Sequence, residues 1–236
     1  MLGPSFVREA ARNNAEWCNV FCRTHGLAGR FSAGFWSSGL RTPRLYPDAV
    51  TLVPNVDVER MLGIIDVSEG CSVKDSFADV DLSAVGFRTL FHAEWLLRRW
   101  DRASAPADGT WAAITTTEQL REWESGWAES PDATNFFRPA LLADEAIAVL
   151  ARHHEGQIVA GAIANRSSTA IGLSNIFAAD EDLESAWLGA AATATARWGR
   201  QAVVSYDSGV SLEGAHRAGF DSIGELRVWL HASSPP

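Results

Sequence analysis

Hydrophobic positions recur at four- and three-residue spacing through Ala11, Ala15, Cys18, Cys22 and His25, a single stripe that Trp17 and Phe21 widen. That period predicts a helix over 10–25, stopped by Gly26. The stretch 31–47 has no period; with its aromatics, serines, Arg41, Pro43, Arg44 and Pro47 it reads as a loop. Regularity then returns with a short buried strand over 49–53, a helix over 56–65, a strand over 71–74 and, after Gly86-Phe87, a long strand over 88–97. The run DRASAPADG at 101–109 has linker composition, which places a boundary between a region 1–105 and a domain 106–236.

Beyond it, 111–115 reads as a strand, and Thr115-x-x-Glu118 as a capping box opening a helix that aligns Leu120, Trp123 and Trp127. The stretch 130–143, with Pro131 and Pro139, is irregular or short helix. Three strand-like runs follow at 146–152, 157–165 and 169–177, joined by turns at His154-Glu155-Gly156 and Arg166-Ser167-Ser168, an antiparallel meander. The clearest helix covers 182–198, with Leu183, Ala186, Trp187, Ala190, Ala191, Ala194 and Trp198 on one face. A buried strand (202–206), a short helix (211–217), the turn 218–220 and a strand over 223–230 complete an α/β chain of the α+β kind.

Composition narrows the classes. With 47% hydrophobic residues, 21% charged and ten tryptophans, the chain holds enough apolar mass for a packed core. Its net charge of -9 is uneven: residues 1–105 hold twelve basic and twelve acidic residues, and 106–236 hold eight and seventeen. A field of that sign repels phosphate backbones, which argues against a nucleic-acid partner and favours a cationic or amine-bearing one, or else it is an ordinary acidic surface. No apolar run reaches the roughly 20 residues of a membrane span, and no apolar signal core follows a basic start. We therefore expect no membrane partner and a cytoplasmic location. Three cysteines make no disulfide framework. Cys18, Cys22 and His25 share a helical face that Cys71 could join in a tetrahedral metal site, yet the spacing lacks a CxxC knuckle and the same face points to the core; no metal is expected. Lys74, the single lysine, precedes Asp75 and reads as a surface or ion-paired residue.

The order strand, helix, three-strand meander, long helix, strand, short helix, Ala218-Gly219-Phe220, strand resembles the GNAT N-acetyltransferase superfamily across 110–231. The resemblance implies a mixed sheet flanked by helices, whose fourth strand and following helix splay from their neighbours. In that family a loop Q/R-x-x-G-x-G/A presents backbone N–H groups to the pyrophosphate of acetyl-CoA, the co-substrate; a helix N-terminus suits an anion because its donors are free and its dipole is favourable. The matching residues are Ala179, Asp180, Glu181, Asp182, Leu183 and Glu184, with no glycine and four acids. A carboxylate beside a pyrophosphate costs on the order of 1 kcal/mol per pair in water; alternatively, the acids cap their own helix. The implied coenzyme contacts are the backbones of Ile176, Phe177, Ala178, Ala179, Asp182 and Leu183.

Many family members protonate the departing thiolate with a tyrosine four residues before the Gly-Phe pair, where this chain has Ala215. Tyr206, ending the preceding strand, is the preferred replacement, or else a half-buried core tyrosine. A carboxylate, or a polar residue placing the amine, is sought at Asp207 and Asn175; Asn175 interrupts an apolar run, where a polar side chain needs a partner or a purpose. The resemblance thus implies an N-acetyltransferase moving an acetyl or acyl group from coenzyme A to a small amine-bearing acceptor. The alternative is an inactive member that binds a ligand or partner.

The N-terminal region resembles a worn, partial second copy, or else shares short matches with that domain that arise by chance. Lys74-Asp75-Ser76, followed by Phe87, parallels Tyr206-Asp207-Ser208, followed by Phe220, both through Gly-Phe into a long strand. The segments 49–53 and 56–65 would match the fourth strand and long helix, with no recognisable meander before them. Tandem members of the family share or cross strands, which implies that the strand over 88–97 docks on the second domain beside an active cleft. Trp36, Arg41, Arg44 and Tyr46 then become substrate contacts, or simply cover the sheet.

Overall fold

A computed structural model describes residues 4–100, 110–128, 135–179 and 182–232. In chain order the elements are α1 (Pro4–Thr24), β1 (Gly29–Phe31), β2 (Phe35–Ser38), β3 (Ala49–Thr51), α2 (Val58–Leu62), β4 (Ser72–Asp75), β5 (Phe87–Arg98), β6 (Trp111–Ala113), α3 (Thr117–Ala128), β7 (Ile147–His154), β8 (Gln157–Arg166), β9 (Ala170–Ala178), α4 (Leu183–Trp198), β10 (Ala202–Asp207), α5 (Gly209–Arg217) and β11 (Asp221–His231). They form two compact units: Met1–Trp95 with Ile223–Pro236, and Leu96–Ser222. The expected linker, 101–109, lies outside the described residues, as do 129–134 and the acids Asp180 and Glu181.

In the first unit, β1, β2 and β3 are antiparallel neighbours. β4 runs parallel to β3, with Ala49 opposite Val73 and Val50 opposite Lys74. Parallel neighbours need a crossover, and α2 supplies it, capped by the Asp57 carboxylate accepting from Arg60 N at 3.0 Å. β11 pairs antiparallel with β4, Trp229 opposite Val73, and β5 follows on its other side. Phe35, Ala49, Met61, Cys71, Val73, Leu82, Phe87 and Trp229 form the core.

One expectation fails here. The stretch 31–47, without a period in sequence, is not all loop: it contains β2, so the N-terminal region does have a three-strand meander. All four β2 residues are buried. A strand covered on both faces shows no alternation, and four residues are too few to reveal a period.

In the second unit, β6 to β9 are consecutive antiparallel neighbours and β10 lies parallel to β9, with α4 as crossover. The α4 stripe Ala186, Trp187, Ala190, Ala191 and Ala194 is buried against Ala160, Ala162, Ala164, Ile171, Leu173 and Val203. Small alanines on both helix and strand allow close approach. Leu96 joins this core, and Arg98 Nε donates to Ala218 O at 3.2 Å. On the other face α3 packs through aromatic rings: Phe177 meets Trp123 edge to face at 5.3 Å, and Trp123 Nε1 donates to Leu150 O at 2.9 Å. Gly161 makes room, since a Cβ there would strike both Trp123 and Phe177. The α3 capping box sits one residue later than expected: Gln119 N donates to Thr116 Oγ1 (3.2 Å), while Gln119 Oε1 accepts from Thr115 N and Thr116 N (3.1 and 3.3 Å).

The two halves of the chain repeat one order in sequence: helix, antiparallel meander, helical crossover, parallel strand, then Gly-Phe and a long strand, although the last strand of the second half, β11, belongs to the first unit. Gly86 (φ 88°) and Gly219 (φ 83°) occupy the left-handed region that a Cβ disfavours, each before a buried phenylalanine, Phe87 or Phe220. Among the described residues no helix is long and apolar enough to cross a membrane.

Candidate functional site

The second unit opens where β9 and β10 part. Their register runs from Ala170 opposite Ala202 to Gly172 opposite Val204. Beyond it β9 continues to Ala178 and β10 to Asp207, with Ser174 to Ala178, Tyr206 and Asp207 half-exposed. Ser205, buried at the crotch, donates from Oγ to Leu173 O at 2.8 Å, a side chain replacing the next rung. The outer flank of β9 is kinked as well. Gly161 faces Phe177 and Ile163 faces Ser174, leaving Ala162 against both Asn175 and Ile176. This is a β-bulge, with Asn175 in the left-handed region at φ 54°, where asparagine is tolerated better than most side chains.

Alternation sorts the side chains. Leu173 and Val203 belong to the α4-side core, as does the partly buried Ile176, whereas Gly161 and Phe177 belong to the α3 side. Ser174, opposite Ile163, and Tyr206, next but two after Val203, therefore face the α3 side. Asp207 faces the other way. Its Oδ1 accepts from Ser208 N at 2.8 Å and its Oδ2 from Ser211 Oγ at 2.6 Å, so it ties down the start of α5. Burial raises its pKa above the ordinary carboxylate value, against the lowering effect of those two donors. Of the three residues sought for chemistry, the fold brings Asn175 and Tyr206 to the fork, each just past the end of the β9–β10 pairing, and gives Asp207 to the helix.

The start of α4 stands over this opening. Asp182 is its N-cap and accepts from Ser185 N at 3.1 Å. The Ser185 hydrogen bonds hold its carboxyl below the ordinary value, helped by the charges of Arg152 and Arg217. Glu184 pairs with Arg217 at 3.4 Å on the surface. Leu183 packs beneath α5, where a Cβ on Gly214 would come within 2.8 Å of it. Ala178 packs against the α4-side core, and Ala179 N closes the ladder on Val159 O at 2.8 Å. Phe177 turns its ring into the α3 side, so only its backbone faces the fork.

The corresponding place in the first unit is shut. Ser76 N donates to Thr51 Oγ1 and Trp95 Nε1 to Ser76 O, both at 2.8 Å, and Thr51, Asp75 and Ser76 are buried. Asp75 mirrors Asp207: burial raises its pKa, and it accepts from Val80 N at 3.0 Å.

The residues expected to touch substrate are fixed elsewhere in that unit. Trp36 is wholly buried over Gly29, with Nε1 donating to Asn19 Oδ1 at 3.1 Å. Tyr46 is buried and stacked on Phe21 at 3.6 Å. Arg41 is clasped by Asp48 (2.8 Å) and by Ser68 O and Oγ (2.9 and 2.8 Å), while Arg44 is exposed. Trp36 and Tyr46 belong to the interior, because a non-periodic segment can still be pinned by core aromatics. Lys74 is also inside, donating to Asn14 Oδ1 at 2.8 Å, and not at the surface. The thiols are buried, which pushes Cys18 up to about 11 and Cys22 and Cys71 up to about 12. Protonated at neutral pH, they act as small hydrophobes. Among the described residues no group of three histidine, cysteine or acidic side chains is arranged to hold a metal ion.

A mixed sheet opened between parallel strands under a crossover helix, beside a bulged strand, is the fold of the GNAT acetyltransferases, and this chain has it. Solved structures of that description match along nearly the whole chain. A GCN5-related N-acetyltransferase from Kribbella flavida aligns with a TM-score of 0.65 at 14% identity, over 95% of this chain and 96% of that one. A GNAT-family protein from Novosphingobium aromaticivorans DSM 12444 aligns at 0.53 and 12%, over 94% and 99%. A tandem GNAT protein from the clavulanic acid biosynthesis pathway aligns at 0.51 and 10%, over 86% and 79%. No protein-family model matches the sequence, and no curated protein matches it.

Proposed function

We propose that the chain is a GNAT-type acyltransferase, built as a tandem of two related units, in which the second carries an acyl group from a coenzyme A thioester to a small amine-bearing acceptor. The observation that carries this reading is the fork. Past Gly172 and Val204 the two parallel strands run on unpaired to each other, through half-exposed residues, as a site for an extended thioester arm requires. The closed equivalent in the first unit supports a single working site.

The amine nitrogen attacks the thioester carbonyl carbon. The C–N bond forms, the C–S bond breaks and its electron pair goes to sulfur. Tyr206 supplies the proton that sulfur takes and recovers one from solvent, while the nitrogen releases its own proton to solvent. Asn175, raised by the bulge, is the group that places the amine. The excess of acids over bases in 106–236 favours a cationic acceptor. The phosphate end of the coenzyme fits less well, because Asp182 already occupies one helix-start donor with a negative charge.

That same cap favours a second reading, a protein that binds a ligand at the fork without turning it over. Calorimetric titration with acetyl-CoA, followed by assay of thiol release with a panel of primary amines, separates the two. Binding with amine-dependent thiol release is expected. Binding without release from any amine supports the second reading, and binding weaker than about 1 mM, near -4 kcal/mol, overturns the first.

A further inference from the structure

An acyl-coenzyme A has two ends that a protein reads by different physics: an uncharged arm of amides that carries the thioester, and a phosphate end with several negative charges. The fork suits the arm, and the start of α4 above it opposes the phosphates. Asp182 caps α4 and takes Ser185 N at 3.1 Å, so a donor that an anion would need is already bonded to a carboxylate. The Ser185 hydrogen bonds hold that carboxyl below its ordinary value, which keeps it ionised at neutral pH. Glu184, in the same first turn, adds a second charge. Leu183 stands between the two acids and is wedged on α5, since a Cβ on Gly214 would come within 2.8 Å of Leu183 Cβ; the turn is thus not free to rotate its acids away. The cations whose charge bears on Asp182 are Arg152 and Arg217, and Arg217 is paired with Glu184 at 3.4 Å. The sequence puts two more acids, Asp180 and Glu181, just before the helix, in a domain with eight basic residues against seventeen acidic.

Resting on the reading of acyl transfer at the fork, we propose that the donor is recognised through its pantetheine arm alone, and that the donor class is an acyl-pantetheine thioester with no phosphate at the start of α4. Coenzyme A enters by the arm it shares with that class, and its phosphate end gains nothing at α4. A carboxylate about 4 Å from a phosphate charge weakens binding about fivefold per pair in water, and more where solvent is thin. An uncharged arm escapes that cost. The transfer itself is unchanged: the C–N bond to the acceptor forms, the C–S bond breaks, and sulfur leaves as the pantetheine thiol with the proton it takes.

The test is calorimetric titration of the full chain with acetyl-pantetheine, acetyl-phosphopantetheine and acetyl-CoA, which share the arm and carry no phosphate, one phosphate and the whole phosphate end. It is repeated on the double variant Asp182→Asn, Glu184→Gln, which keeps a capping oxygen and removes both charges, with melting temperatures measured in parallel. In the wild type acetyl-pantetheine is expected to bind as tightly as acetyl-CoA or more so, and the double variant to tighten acetyl-CoA about fivefold or more with acetyl-pantetheine unchanged. Acetyl-CoA binding tighter than acetyl-pantetheine by about threefold or more in the wild type overturns the proposal and leaves acyl transfer standing. Tightest binding of acetyl-phosphopantetheine overturns it too, and points to an arm borne on a carrier. An unchanged ratio of the two affinities in the double variant also overturns it. Should that variant melt early, Asp182→Asn alone must shift the ratio in the same direction, and an unchanged ratio again overturns the proposal. A wild-type chain that binds none of the three overturns acyl transfer as well.

Discussion

Asn175 holds a left-handed position and, on the acyl-transfer reading, also places the amine; two substitutions separate the roles. At φ 54° a glycine keeps the bulge without strain, whereas a β-branched residue does not. Asn175→Gly should melt close to wild type yet lose most amine-dependent thiol release, and Asn175→Val should lose stability as well, by roughly 1–3 kcal/mol in urea unfolding. Asp207 behaves differently. Its pKa is raised in the folded chain from a reference of 3.8, so its contribution to stability is complete below that reference and declines as pH rises through the folded value. Asp207→Asn, which keeps the shape and never ionises, should therefore be the more stable protein at about pH 7 and match wild type near about pH 3, read by thermal melts across that range. At this scale the sequence singled out Asn175, because a polar residue interrupts an apolar run. It was silent on Ser205, since a serine in a buried strand looks the same whether its hydroxyl is bonded or not.

On the acyl-transfer reading, the element that sets coenzyme affinity is α4, where the cap that stabilises the helix start, Asp182, opposes an anion there. Glycine is nearly as good an N-cap as aspartate, costing a few tenths of a kcal/mol, while alanine costs about 1 kcal/mol. Asp182→Gly should thus leave the melting temperature almost unchanged, release the Ser185 N–H and tighten acetyl-CoA binding in calorimetry; Asp182→Ala should tighten binding too but melt lower. Elements with a long period were legible: α4 through its alanine stripe, the β7–β9 meander through its turns, and α1 through its three–four spacing. β2 was not, being four residues buried on both faces. The α3 box was misplaced by one because Thr115, Thr116 and Thr117 are equivalent in sequence, and only the reach of Gln119 picks Thr116.

For the whole molecule, what the sequence could not disclose is which strands are partners over long distances. The period of β11 marks it as a strand, but nothing in it names β4 as its neighbour. Leu226, Val228 and Trp229 are buried in the first unit, so residues 1–100 alone lack part of their own sheet and core. That fragment should fail to melt cooperatively by circular dichroism, and a synthetic peptide spanning 221–232 should restore a transition whose midpoint rises with peptide concentration.

The pairing of Val73 with Trp229 also bears on how the chain is made. A ribosome delivers β1 to β4 early, yet every residue of the second unit emerges before their missing neighbour does. Folding that usually proceeds from the N-terminus is here inverted: the later unit can close first, and the earlier one waits with the flank of β4 open. Until β11 arrives, that flank is an unpaired strand edge that other nascent chains can join. Slow translation across the second unit would prolong the wait, so the hazard for this protein in the cell is a matter of timing as much as of final stability.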